Sequence, residues 1–359
     1  MNIEILKQMK NLTNAQKMAI NNCIAIFKVG SQLYGTNIPT SDTDYEGIFI
    51  EEPDHIIGTN RCDEVDFSTN KTNKRNTEND IDLKLFSLRK FFSLAKQNNP
   101  NKIELFFIPE DKYIFKTKIW ETILNNKHLF ISKKLKFSFS GYAFSQRNKL
   151  LTKKQRLNEL KEFKLLLENG LKNNHKIIGD MDLCETVYHK KYDKEKDQLI
   201  QMPKKKLKYD FKHIKYKMTQ EGTDAILVNE KEYNYGMNIE KLYNYITKEI
   251  DKYGGRTEFL KEYGFDVKFA MHMFRLFEEA KELLTTGEIK FPLNNRHFLL
   301  DIRNGKYSLD NLIEMSEDLD NKINNLYDNS KIQYSCNEPE INNLQIKLIL
   351  DYWKCNGQI

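Results

Sequence analysis

The sequence predicts an α+β protein. A region of α/β type over residues 1–130 is followed by a mainly helical region over 131–359, with a basic insertion at about 172–240. Three observations carry this. Short apolar runs of strand length, rich in β-branched residues, lie before residue 90. One of them alternates with period two and passes directly into a helical spacing. Beyond residue 130 the strand signals fade and long helical patterns take over.

Taken in order, MNIEILKQMKNLTNAQKMAI predicts an opening helix to about Ile20. CIAIFKVG reads as a buried strand stopped by Gly30, and YEGIFI as a second. Residues 51–80 are polar and turn-rich and are expected to form a loop. In DIDLKLF, Ile81, Leu83 and Leu85 face one way while Asp82 and Lys84 face the other, a strand with one wet face. SLRKFFSLAKQ then carries Leu88, Phe91, Phe92, Leu94 and Ala95 as a helical stripe that ends before Pro100.

In the second region, SQRNKLLTKKQRLNELKEFKLLLENG predicts one long helix with Gly170 as its C-cap. KLYNYITKEIDKYGG sets Leu242, Ile246 and Ile250 on one face before a Gly-Gly stop. DVKFAMHMFRLFEEAKELLTTG spaces Phe269, Met273, Leu276, Phe277, Ala280, Leu283 and Leu284 as a core stripe. No internal repeat is found.

The formal net charge is +6, a mild basic excess compatible with a polyanionic partner. It is uneven: residues 201–220 hold seven lysines against one aspartate. Cys23, Cys62, Cys184, Cys336 and Cys355 are scattered and form no CxxC pair, which speaks against a disulfide frame or a zinc site. The opening residues carry charges throughout and do not read as a signal peptide. No run reaches the ~18 apolar residues that a membrane span needs. The expectation is a soluble, cytoplasmic protein with no membrane partner.

The stretch with the most chemistry is GSQLYGTNIPTSDTDYEG, residues 30–47. A Gly-Ser at the end of a buried strand presents backbone N–H groups and a hydroxyl, which suits a triphosphate. Asp42 and Asp44 are two apart, so on a strand they point to the same face and can share divalent ions. Hard oxygen ligands of this kind suit Mg²⁺ or Mn²⁺ carrying substrate phosphates. An Asp-x-Asp alone is equally an ordinary turn. A third carboxylate on a neighbouring strand would complete the site, and there Asp80 and Asp82 share the right parity, so periodicity does not choose between them.

Taken together, the Gly-Ser, the spacer of about ten and the Asp-x-Asp resemble the signature of the DNA polymerase beta nucleotidyltransferase superfamily. More closely, the chain resembles the nucleotidyltransferases that accompany RNA-repair ligases or occur in phages and large viruses. Further blocks support this: DLKLFSLRKFFSLAKQNNPNKIELFF, FSGYAFSQRNKL, YGFDVKFAMHMFRLFEEAKELLTTGEIKFPL and LLDIRNGKYSLDNLIEMSEDLD. The resemblance implies a polymerase-beta-like N-terminal domain with a mixed sheet, and Asp82, not Asp80, as third carboxylate. It implies two metal ions on Asp42, Asp44 and Asp82, an NTP substrate, and release of pyrophosphate. Thr43 departs from it, standing where the superfamily usually has an apolar residue. The insertion at about 172–240 matches poorly.

Other candidates surround this core. Gly30 and Ser31 are expected on the β and γ phosphates, with Tyr34 and Thr36 beside the nucleotide. Lys268, His272 and Arg275 fall at i, i+4 and i+7, a stripe of donors for triphosphate or an RNA backbone, or else a solvated face paired with Glu278, Glu279 and Glu282. Glu104 sits at the start of a possible strand, where a structural role is favoured. The reaction expected is transfer of a nucleoside monophosphate from an NTP to an RNA 3′ end. The alternatives are transfer to a protein or small-molecule hydroxyl, and a catalytically silent RNA-binding module. The base, the number of nucleotides added and the oligomeric state stay open.

Overall fold

The structure is a computed structural model that describes residues 3–8, 11–39, 41–69, 82–193, 198–219, 222–252 and 263–359. It divides into two compact units, Met1–Arg147 with Val267–Ile359, and Asn148–Asp266. The expected boundary at 130/131 therefore falls inside the first unit, because the C-terminal helices cluster with the N-terminal sheet.

The first unit is built on a five-stranded mixed sheet of order β3-β4-β2-β1-β5. These strands are β1 (Cys23–Val29), β2 (Asp44–Phe49), β3 (Glu64–Asp66), β4 (Asp82–Ser87) and β5 (Tyr113–Lys116). β1 runs antiparallel to β2 and β5, β2 runs parallel to β4, and β3 is antiparallel to β4. The first five residues of β1 are buried, as expected of a continuous apolar run covered on both faces. On one side Ile26, Phe49, Leu83 and Leu85 join Met18, Ile20 and Phe67 in a core. On the other an aromatic cluster forms, with Phe27 and Trp120 centroids 5.0 Å apart and Phe92 and Phe130 4.9 Å apart.

Several expectations are met closely. The helix Leu88–Lys96 starts where its periodicity says, with the Lys90 N–H donating to Ser87 Oγ at 3.1 Å. The helix Val267–Thr286 ends at Gly287, which takes the left-handed conformation at φ 76°. All five cysteines are free. Among the described residues no helix is long and apolar enough to cross a membrane.

Others are corrected. The opening helix is two, Ile3–Lys7 and Asn14–Asn21, because Thr13 caps a fresh start. The polar stretch after residue 50 holds a helical turn, Pro53–Ile56, and the edge strand β3. Asp80, Ile81 and the Gly-Gly after Lys252 lie outside the described residues. The long helix runs Leu135–Lys172, through Gly170, and Asn174 rather than Gly170 takes the left-handed turn beyond it, at φ 60°. Gly170 serves packing instead, since a Cβ there would meet the Met181 sulfur at 3.0 Å.

The second unit contains the strands that the sequence reading missed. β6 (Cys184–Asp193) and β7 (Gln198–Leu207) form a long antiparallel hairpin. β8 (Ile214–Met218), β9 (Asp224–Val228) and β10 (Lys231–Asn234) form a three-stranded sheet. Its core draws Leu160, Phe163 and Leu167 of the long helix together with Ile226, Val228, Leu242 and Ile246.

Candidate active site

Strand register assembles the acidic end of the sheet. Asp44 opens β2, opposite Val29 of β1 on one side and Asp82 of β4 on the other. Adjacent strands are ~4.8 Å apart, so paired residues present their side chains to the same face as neighbours. Asp42 lies two residues before Asp44 and is exposed, while Asp44 and Asp82 are half-buried. The Asp44 carboxyl is pushed up to about 6, by burial first and then by the negative charges of Asp42 and Asp82, with Lys268 opposing. The three carboxylates expected from the sequence are thus within electrostatic reach of one another. Ser68 Oγ donates to Asp82 Oδ1 at 3.0 Å, a partner with no signal in the sequence.

Gly30 is bound to this geometry by sterics. Its φ is 64° and ψ −142°, and a Cβ there would stand 2.5 Å from Asp44 Oδ2. Only glycine allows both the backbone conformation and the approach of the carboxylate. Ser31 then begins a single helical turn, Ser31–Tyr34, with the Gly30 carbonyl accepting from Leu33 and Tyr34 N–H at 3.0 and 3.1 Å. Thr36 is buried, and its carbonyl accepts from Arg303 Nη1 at 2.8 Å.

These elements line one cavity of about 450 Å³. Gly30, Ser31, Asp42 and Asp44 lie along it with Tyr34, Thr36, Lys268, His272 and Arg275. Asp82 does not line it, and meets the site through β2 instead. Of the expected site residues, nine therefore border a single space.

Arg275 departs from the expected solvent-facing stripe. It is buried, and its Nη1 donates to Tyr34 Oη at 2.9 Å, to Glu279 Oε1 at 3.0 Å, and to Glu104 Oε1. Tyr34 Oη donates in turn to Glu104 Oε2 at 2.7 Å. Glu104 lies in a helical turn, Glu104–Phe107, rather than a strand. Burial and the Glu104 charge push Glu279 well above the usual carboxylate range against the pull of Arg275. One guanidinium thus faces two buried carboxylates. Beside them Lys102 pairs with Glu46, which shares a face of β2 with Asp44. Glu46 was legible from strand parity. Lys102 and Arg303 had no signal.

The donor set fits a hard divalent cation: aspartate oxygens only, with like charges that such an ion would neutralise. Among the described residues no three or more His, Cys, Asp or Glu side chains already converge as a formed metal site.

Comparison with known proteins adds to this. Residues 1–172 match the model of the RNA repair pathway DNA polymerase beta family. An uncharacterized 38.9 kDa protein from the nrdC-mobD intergenic region of Enterobacteria phage T4 is 24% identical over 346 residues, 90% of this chain and 92% of that protein. No solved structure matches. The family match takes in β1–β5 and stops short of the helix Val267–Thr286.

Proposed function

We propose that the protein transfers a nucleoside monophosphate from an NTP to the 3′ hydroxyl of an RNA, a reading supported by the match of residues 1–172 to the model of the RNA repair pathway DNA polymerase beta family. The observation that carries this is the register that sets Asp44 beside Asp82, with Asp42 two residues away and Gly30 packed against the Asp44 carboxylate. Asp42 and Asp44 hold the metal ions, Mg²⁺ or Mn²⁺, and Asp82 completes the ligand set. Bound there, the ions would neutralise phosphate charge and act as Lewis acids toward the attacking and leaving oxygens.

The rest falls to the chain's own residues. Ser31 offers its hydroxyl and, with Gln32, the first N–H groups of the turn to the β and γ phosphates. Lys268, whose charge is already felt by Asp44, adds a cation for the triphosphate in the same cavity. Asp82 receives the proton of the acceptor hydroxyl. Tyr34 and Arg275 hold the Gly-Ser turn against the helix Val267–Thr286.

The test is incubation of the chain with each α-labelled NTP, Mg²⁺ or Mn²⁺, and total RNA. Label should enter RNA and sit at its 3′ end. Label entering protein or a small molecule would move the acceptor elsewhere. Absence of transfer from every NTP in both metals would overturn the reading.

A further inference from the structure

The positive charge of this chain is concentrated in one place. Between Cys184 and Met218 the sequence holds eleven lysines against five acidic residues, an excess equal to the +6 of the whole chain. This segment comprises β6, β7 and β8 of the second unit. Thr186 lies opposite Lys205 and Tyr188 opposite Pro203, so these four side chains share one face of the hairpin. Tyr188 is 68% exposed, a large aromatic ring standing in water, and Met218 is 59% exposed. Beside them lies a cavity of about 520 Å³ whose walls include Pro203, Lys204, Lys205, Tyr216 and Lys217.

The groove is built rather than loose. Asp224 accepts from Tyr216 Oη at 2.7 Å and pairs with Lys205 at 2.7 Å, which fixes the ring and the ammonium together. Lys206–Glu185 and Lys217–Glu232 are exposed ion pairs, which are weak and give way to phosphate readily. Lys190 lies opposite Gln201, on the same face as Tyr188 and Lys205.

We propose that this face of the second unit binds single-stranded RNA, its phosphates on Lys190 and Lys205 and a base stacked on Tyr188, three side chains that the register sets on one face of the hairpin. Lysines supply the polyanion contacts, and an exposed aromatic beside them takes a base of any sequence. An acidic peptide would use the lysines but has no planar faces for the tyrosine. The choice of RNA over DNA, and the identity of the strand as the acceptor, rest on the transferase reading. The binding surface does not.

The experiment measures binding of the full chain to a fluorescein-labelled single-stranded 20-nucleotide RNA by anisotropy at 50, 100 and 200 mM salt, without NTP or metal. Each lost phosphate contact should flatten the log–log salt slope by about 0.7. Lys190→Ala/Lys205→Ala should therefore lower the slope by about 1.4 and weaken binding about fivefold or more at 100 mM salt. Tyr188→Ala should weaken binding about fivefold or more with the slope unchanged. All three side chains are solvent-exposed, and circular dichroism checks that the variants fold. Asp44→Asn should bind RNA like wild type even where it loses transfer, which separates the two readings. Wild-type affinity and slope in both surface variants would overturn the proposal. So would loss of RNA binding in Asp44→Asn, or equal affinity for poly-glutamate.

Discussion

Gly30→Ala tests the centre of the candidate site with a single methyl group. The new Cβ would stand 2.5 Å from Asp44 Oδ2. Ordinary carbon–oxygen approach is about 3.3 Å, so the carboxylate must retreat by about 0.8 Å. A misplacement near 1 Å in a reacting constellation costs about a hundredfold in rate. The backbone at φ 64° and ψ −142° adds strain of about 1–3 kcal/mol for any residue with a side chain. The variant should therefore fold, unfold at somewhat lower denaturant, and lose about a hundredfold in kcat/KM for label transfer. Gly357→Ala is the control. Its φ is 62° but no atom lies within 4 Å of the added Cβ, so it carries the strain without the collision. It should lose about 1 kcal/mol of stability and no activity. Turnover of Gly30→Ala within threefold of wild type would refute the link between this glycine and Asp44. Equal loss of activity in both variants would assign the effect to folding.

Three further outcomes follow from the site. Asp42→Asn and Asp44→Asn should abolish transfer without loss of stability, since crowded like charges repel; near-wild-type turnover of either in Mg²⁺ refutes the ligand assignment. Asp82→Ala should lower the rate by orders of magnitude with little change in NTP binding, while Asp80→Ala should be mild; steady-state kinetics showing the reverse would refute the strand register. Glu279 keeps a proton in the folded chain that the unfolded chain releases above about pH 4.3, so it makes stability fall as pH rises from there. In urea unfolding at pH 5 and pH 8, Glu279→Gln should lose less stability between the two than wild type, and parallel losses would refute a protonated Glu279.

Local patterns were enough for the elements that matter most to the site. The apolar run of β1, the alternation of β4 and the stripe of Leu88–Lys96 are each stated by side-chain period, and the Gly-Ser and Asp-x-Asp carry their chemistry in their spacing. Period could not state partnership. It set Asp80 and Asp82 on one face without choosing between them, and it could not announce that Arg275 would turn inward.

Arg275 lies 171 residues from Glu104 and 241 from Tyr34. Such an encounter is decided when the helix Val267–Thr286 packs in the same unit as the sheet, and a buried guanidinium there must find carboxylates or not be buried at all. The strands β6–β10 were hidden for a different reason. In β6–β8 lysines on exposed positions replace the apolar alternation that marks a strand, and the three-stranded sheet is held by inward residues such as Ile214 and Ile226 against a distant helix. The sequence by itself determined which residues can do chemistry, because spacing along a strand or helix is a local property. Only the tertiary structure decided which of them stand beside one another in water and which neutralise each other in the core, because burial and charge compensation depend on segments far apart in the chain.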